Sequence, residues 1–184
     1  MKTILWTSPS LHSAEYFTLM PHATGFLLNG TINLLLEDQP TQVVYQIDCD
    51  LNWITRRVEV QQRQADGEKS LILTVDDRLN WYNDSVLIPW ANGLTDIDLS
   101  ITPSTNMLPL RKHNLQIGES REVNCVWVQP PELTLSTLPQ HYARIDAHHY
   151  DYAAPSLDYQ AVLSVDEEGV IVKYGDLWSQ PGIS

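Results

Sequence analysis

Apolar and polar residues alternate along most of the chain with a period of two, which is typical of half-buried β-strands. The clearest alternating runs are residues 43–47, 71–75, 97–101, 123–127, 159–165 and 170–174. Residues 14–20 are the one segment that we expect to form a short helix. The pattern therefore predicts an all-β protein with few short helices.

Pairs of turn-forming residues separate apolar runs, and an Asn-Gly pair in particular favours a tight β-hairpin. These pairs are Asn29-Gly30, Asp66-Gly67, Gly118-Glu119 and Glu168-Gly169. Antiparallel sheets of this size tend to curl or close, because closure removes exposed edges. We therefore expect an antiparallel, strongly curved sheet that forms a partly open barrel or β-roll around an apolar interior. The length of 184 residues predicts one domain spanning 1–184.

The charge balance restricts the classes of partner. Lys and Arg number 11 and Asp and Glu number 23, which gives a formal net charge of −12. Such a chain repels nucleic-acid phosphates and offers no generally basic face to an anionic membrane. No apolar run approaches the ~20 residues of a membrane span, and residues 1–10 lack a secretory apolar region. The sequence predicts a cytoplasmic protein without stable membrane insertion.

The cysteine and histidine positions do not indicate a metal site. Cys49 and Cys125 lack the close pairing that zinc sites use. We predict two buried thiols, with a disulfide as the alternative. His148 and His149 would point to opposite faces of a strand, and we expect neither a metal nor another cofactor.

Arg56 is the first candidate binding residue. In a regular strand it shares a face with Ile54, Val58 and Val60, and burying an unpaired charge on an apolar face is costly. Arg56 is therefore expected to meet either an anionic ligand or a protein carboxylate such as Asp96 or Asp98.

A second group of candidates follows in residues 95–109. Asp96 and Asp98 share one face of a strand that leads into a proline-bounded loop with Thr102, Thr105 and Asn106. These loop side chains suit hydrogen bonds to sugar hydroxyls or phosphate oxygens, although the same groups also cap turns. The two aspartates also permit an acid/base pair, as in glycosidases.

A third group lies in residues 141–152. Tyr142, Arg144, Tyr150 and Tyr152 would share one face of a strand, together with Asp146. A stripe of tyrosine and arginine suits the packing of a sugar ring or headgroup, and equally a cross-strand aromatic ladder. Near the C-terminus, Trp178 either closes the sheet or covers the mouth of a cavity.

Four motifs in this order resemble the bacterial putative glycolipid-binding family. They are W-x-T-R-x-V-x-V from Trp53, D-x-D-L-x-x-T-P-x-T-N-x-L-P from Asp96, Y-x-R with a later Y-x-Y from Tyr142, and Y-x-D-L-W ending at Trp178. The basic pair at the end of the loop is Arg111-Lys112 here. Tyr150-Asp151-Tyr152 replaces the Tyr-Arg-Tyr of the family.

The resemblance implies a fold related to bacterial lipoprotein carriers, with a curved sheet around an apolar interior. It implies a non-enzymatic binder of a lipid or glycolipid, with acyl chains in that interior and the headgroup at Arg56 or Arg144. The binding residues expected from the motifs include Trp53, Arg111 and Trp178. Two alternatives stay open: a hydrolase that uses Asp96 or Asp98, and a protein-interaction module with a filled core.

Overall fold

The alternating runs form one sheet of fifteen strands in the computed structural model, which describes residues 1–181. The strands are β1 Lys2–Ser8, β2 Ser13–His22, β3 Gly25–Leu36, β4 Gln39–Asp50, β5 Thr55–Gln64, β6 Gly67–Val75, β7 Trp81–Asn83, β8 Val86–Leu87, β9 Asp96–Asp98, β10 Ser120–Gln129, β11 Thr134–Arg144, β12 His149–Ala154, β13 Tyr159–Val165, β14 Ile171–Tyr174 and β15 Trp178–Ser179. The α-helix is α1, Met107–His113, and short 3₁₀ turns cover Pro89–Ala91, Ser104–Asn106 and Pro155–Leu157. The predicted all-β class is confirmed.

The strand order is β8-β7-β6-β5-β4-β3-β2-β1-β15-β14-β13-β12-β11-β10-β9. Each strand from β1 to β8 pairs with its sequence neighbour, as does each from β10 to β15, and β1 pairs with β15 at the centre of the sheet. The β9–β10 pair is parallel, and the other pairs are antiparallel. Because β8 and β9 are edge strands that do not pair with each other, the sheet of the described chain is not closed into a barrel.

Segments that are distant in this order nevertheless contact each other. The Gln62 side-chain amide of β5 donates to the Pro131 carbonyl at 2.9 Å, beyond the end of β10. On β6, Lys69 pairs with Glu132 at 2.7 Å. The backbone N–H of Thr55 donates to the Thr95 carbonyl next to β9 at 3.0 Å. The two ends of the sheet are therefore brought together by side-chain and loop contacts.

The interior is filled by the protein's own residues. Inward-facing apolar side chains from both halves of the sheet form one buried cluster with α1. Residues 101–110, which lead from β9 into α1, are all buried. This segment packs against β2 and β4, since Thr102 donates to Glu15 at 3.0 Å and lies 3.3 Å from the Tyr45 hydroxyl. The space that the resemblance assigned to acyl chains is occupied by this packing.

Two local predictions were wrong. Residues 14–20 belong to β2, because Glu15, Phe17 and Leu19 alternate inward while β1 and β3 satisfy the backbone on both sides. Asn29-Gly30 lies within β3 and forms no turn. Gly30 is needed there for space, since a Cβ would lie 2.1 Å from the Tyr45 ring that crosses over it.

The remaining turn and cysteine predictions had mixed outcomes. Hairpins at Asp66-Gly67 and Glu168-Gly169 are confirmed, as are two buried free thiols. Gly118-Glu119 forms a turn before β10, but the residues that precede it do not form a strand. No helix within residues 1–181 is long and apolar enough to cross a membrane.

Candidate functional site

Four of the predicted binding residues, Trp53, Arg111, Arg144 and Tyr150, line one open cleft of about 350 Å³. The cleft lies where the β4–β5 turn, the end of α1, the β11–β12 hairpin and the β13–β14 turn meet. These segments are far apart in sequence, so the cleft exists only in the folded sheet. Its volume is at the lower end of the range for small-molecule sites.

Arg111 is part of a stack of side chains in the lining of the cleft. Phe26 stacks on Trp53 with ring centroids 3.9 Å apart and planes 12° apart. The Arg111 guanidinium carbon lies over the Trp53 ring, 5.2 Å from its centroid. Because Phe26 covers one face of the indole, the guanidinium occupies the other face. Trp53 therefore holds Arg111 in place and offers no open face for a sugar ring to stack on.

Trp53 has an unusual backbone for a bulky residue, with φ at 62°. Its N–H donates to the Asp50 carbonyl at 3.0 Å, which closes the turn between β4 and β5. Bulky residues in the left-handed region are outliers, and such strain clusters at functional sites. The turn thus holds the indole against Arg111 in a backbone conformation that costs free energy.

Arg144 and Tyr150 form a similar pair on the facing hairpin. They are cross-strand partners of β11 and β12, and the Arg144 guanidinium carbon lies 5.5 Å from the Tyr150 ring centroid. Three backbone carbonyls accept from Arg144: Leu115 at 2.8 Å, Asp146 at 3.0 Å and Ala147 at 3.2 Å. A guanidinium has five N–H donors, so two remain for another partner.

The acidic part of the lining comes from the β13–β14 turn, with Asp166, Glu167 and Glu168. Lys2 binds both Asp166 and Glu168, and the backbone N–H groups of the turn donate to Asp166. Burial opposes ionisation of Asp166, but the Lys2 contact and these N–H groups hold its pKa below the ordinary value. The cleft therefore presents both signs of charge to whatever enters it.

Other predicted residues lie in the interior, away from this cleft. Gln140 donates to Asp98 at 2.7 Å and to the Tyr152 hydroxyl at 3.0 Å. The Tyr142 hydroxyl donates to Gln140 at 3.0 Å and accepts from Asn106 at 3.0 Å. Burial raises the pKa of Asp98, although the Ser100 N–H and Gln140 partly offset this. These side chains satisfy one another within the core.

Asp96, Thr102, Thr105 and Trp178 are also buried. Asp96 binds Lys112 and accepts from the Thr95 hydroxyl at 2.9 Å. Within residues 1–181, the Thr105 hydroxyl has no hydrogen-bond partner. None of these side chains lines the cleft, so a substrate in the cleft would contact neither Asp96 nor Asp98. The hydrolase alternative has no support in this arrangement.

Arg56 was predicted to face inward beside Val58 and Val60. A bulge between Asp48 and Cys49 shifts the register, so that Asp48 pairs with Arg57 and Cys49 with Thr55. Arg56 instead binds Asp50 through two N–H groups at 3.0 and 2.8 Å and donates to the Asp76 carbonyl at 3.0 Å. A protein carboxylate as the partner of Arg56 was one of the two alternatives. That carboxylate belongs to Asp50, and not to Asp96 or Asp98.

Residues 142–152 were treated as one strand, but they form a hairpin in which Tyr142 pairs with Tyr152 and Arg144 with Tyr150. The aromatic ladder alternative is confirmed, with the Tyr142 and Tyr152 ring centroids 5.1 Å apart.

Sequence reasoning missed Glu15, Phe26, Lys112, Gln140 and the acidic turn. Glu15 is fully buried and accepts from the Tyr45 hydroxyl at 2.5 Å. Had residues 14–20 been interpreted as a strand, its position between inward Ser13 and Phe17 would have indicated this burial. Among residues 1–181, no cluster of three His, Cys, Asp or Glu side chains fits a metal ion.

Two of three comparisons relate the chain to known proteins. A solved structure described as a DUF1089 family protein from Pseudomonas aeruginosa is 28% identical, with a TM-score of 0.81, and the match covers 90% of this chain and 91% of that one. No curated protein matches the chain. The sequence profile of the family described as "Putative glycolipid-binding" matches residues 3–180, and the chain belongs to that family.

Proposed function

We propose that the protein binds a glycolipid without catalysis, with the sugar headgroup in the cleft between Trp53, Arg111, Arg144 and Tyr150. One observation carries the proposal: a chain of this family gathers two arginines, an exposed asparagine and an acidic turn around one open space. Sugar hydroxyls both donate and accept hydrogen bonds. The carboxylates and the guanidinium N–H groups that line the cleft match both roles.

In this proposal, the acyl chains lie neither in the interior nor in the cleft, but on the surface beside the cleft. The interior is packed with residues 101–110 and the inward side chains of the sheet, so apolar tails would have to displace them. Exposed apolar side chains lie in the same turns as the cleft residues: Leu51 before Trp53, and Ile145 after Arg144, with exposed fractions of 64% and 45%. Each CH₂ group that such side chains cover contributes about 0.8 kcal/mol. In this proposal, one domain across residues 1–184 carries the binding.

The test begins with native mass spectrometry of the protein as purified from cells, followed by solvent extraction of whatever is bound. We expect a stoichiometric mass increment that releases a sugar-containing lipid. Vesicles of phosphatidylcholine with and without a glycosyl diacylglycerol then provide a direct flotation assay.

A blocking variant locates the site. Ala147 is exposed and lines the cleft, so Ala147→Trp should fill it and abolish vesicle binding. Leu157→Trp, at another exposed position outside the cleft, is the matched control and should bind normally. A mass without increment, together with no flotation on any glycolipid, would refute the proposal and favour the protein-interaction alternative. Equal binding by both variants would move the headgroup away from the cleft.

A further inference from the structure

The two cleft arginines differ from most basic residues of this acidic chain because neither forms an ion pair. The basic side chains that do so are Lys2, Arg56, Arg57, Arg63, Lys69 and Lys112. Within residues 1–181, no carboxylate lies within 4.0 Å of a nitrogen of Arg111 or Arg144. Both are partly buried, where an uncompensated charge is unfavourable.

Arg111 is the less satisfied of the two. Its Nε is buried and, in the part of the chain that the structure describes, has no hydrogen-bond partner. Buried polar groups are nearly always paired, so an orphan donor calls for an explanation. Burial lowers the pKa of Arg111, and the charges of Asp166 and Glu168 only partly offset that effect.

The surroundings of Arg111 enclose its Nε and restrict the movement of the guanidinium. The Trp53 ring covers one side. Gly169, at φ +69°, lies close by, and a Cβ at that position would be 3.6 Å from the Arg111 Nε. A planar guanidinium with restricted movement suits the two parallel hydrogen bonds that a carboxylate or a phosphate accepts.

We propose that the cleft binds an oxyanion carried by the sugar headgroup, a phosphate or a carboxylate, with Arg111 as its main partner and the free N–H groups of Arg144 as the second. The inference rests on the proposed glycolipid binding and narrows its ligand class to anionic glycolipids. The carboxylates of the acidic turn then accept hydrogen bonds from the sugar hydroxyls. These carboxylates also repel the oxyanion, which is therefore confined to the positions that the two guanidinium groups can contact.

Binding to four kinds of phosphatidylcholine vesicle tests this proposal. The added lipids are a neutral galactosyl diacylglycerol, a glucuronosyl diacylglycerol, phosphatidylinositol phosphate, and phosphatidylglycerol, which is anionic but carries no sugar. We expect the glucuronosyl lipid or the phosphorylated inositol lipid to bind at least about tenfold more tightly than the neutral glycolipid, since charge-assisted hydrogen bonds are the stronger ones. The preferred lipid identifies the oxyanion.

Arg111→Gln should remove this preference by weakening the binding of the preferred anionic glycolipid at least about tenfold. Arg121→Gln is the matched control, because Arg121 is exposed and lies outside the cleft, and it should keep the preference. Should Arg111→Gln not fold, competition on the unmodified protein replaces it: glucuronic acid or glucose 1-phosphate should displace the bound lipid, and glucose should not.

The outcomes separate the two proposals. Equal binding of neutral and anionic glycolipids, or an unchanged preference in Arg111→Gln, would overturn the oxyanion site and leave glycolipid binding standing. Phosphatidylglycerol binding as tightly as the preferred glycolipid would overturn the inference as well, because charge alone would then explain binding. No binding to any vesicle would refute the glycolipid function itself.

Discussion

Glu15 should make the stability of the fold depend on pH in a direction opposite to that of most carboxylates. Burial raises its pKa from 4.5 to about 8, although hydrogen bonds from Tyr45 and Thr102 oppose the shift. Its second oxygen, Oε2, has no partner within residues 1–181. The folded protein therefore holds Glu15 as the neutral acid at pH 7, whereas the unfolded chain ionises it.

The sign and size of the effect follow from linkage. Below pH 4.5 both states are protonated, and the full stability is present. Between pH 4.5 and 8 only the folded state keeps the proton, so the free energy of unfolding falls by about 1.4 kcal/mol per pH unit, or about 5 kcal/mol in all. Above pH 8 both states are ionised and the slope disappears.

Urea unfolding of the unmodified protein and of Glu15→Gln at pH 5.5 and 7.5 measures this effect. The neutral amide should make the variant gain about 3 kcal/mol relative to the unmodified protein between the two pH values. His113, whose pKa is lowered by burial, contributes an opposite slope, but that slope is common to both proteins and cancels. Glu37→Gln, at an exposed position, should show no gain. A difference between Glu15→Gln and the unmodified protein that stays constant within about 0.5 kcal/mol would refute the buried neutral acid.

Three further predictions concern packing and reactivity. Lys112→Met leaves Asp96 buried without its cation and should reduce the free energy of unfolding by about 3–5 kcal/mol in urea titration; a loss below about 1 kcal/mol would contradict the pairing. Gly30→Ala should cost about 1–3 kcal/mol because its Cβ would meet Tyr45, whereas Gly93→Ala, with open space around it, should cost only about 1 kcal/mol for its positive φ; equal losses would argue against the clash. Burial raises the pKa of both cysteine thiols, so iodoacetamide at pH 8 should modify neither until denaturant is added, and a mass increment on the native protein would contradict their burial.

The strands were predictable because one face of most of them is buried, which imposes a period of two on the sequence. The position of Arg56 was not predictable, because Arg56 is itself the extra residue of a bulge: Asp48 pairs with Arg57 and Cys49 with Thr55, which leaves Arg56 without a partner on β4. A one-residue bulge of this kind leaves no mark in the hydrophobic pattern. Glu15 was missed for a related reason. The helix expected over residues 14–20 gave no basis for placing its carboxylate inside.

The sequence predicted several residues of the cleft, but it did not predict that they lie together. Arg144 and Tyr150 were candidates because a stripe of tyrosine and arginine suits a sugar ring or headgroup, and Trp53 and Arg111 were expected from the family motifs. Their meeting with the 166–168 turn could not be inferred, because it depends on how distant segments pack, and no local signal encodes such contacts.

The pairing of β1 with β15 determines which part of the sheet can form first during synthesis. Strands β1 to β8 pair only with sequence neighbours until β15 arrives, so residues 2–87 can form a local ladder as they leave the ribosome. The second ladder, β9 to β15, joins the first through Thr7 and Ser179, a contact that spans almost the entire chain. The continuous sheet can therefore form only after nearly all of the chain has been translated. Until then, the nascent chain exposes β1 as an unpaired edge.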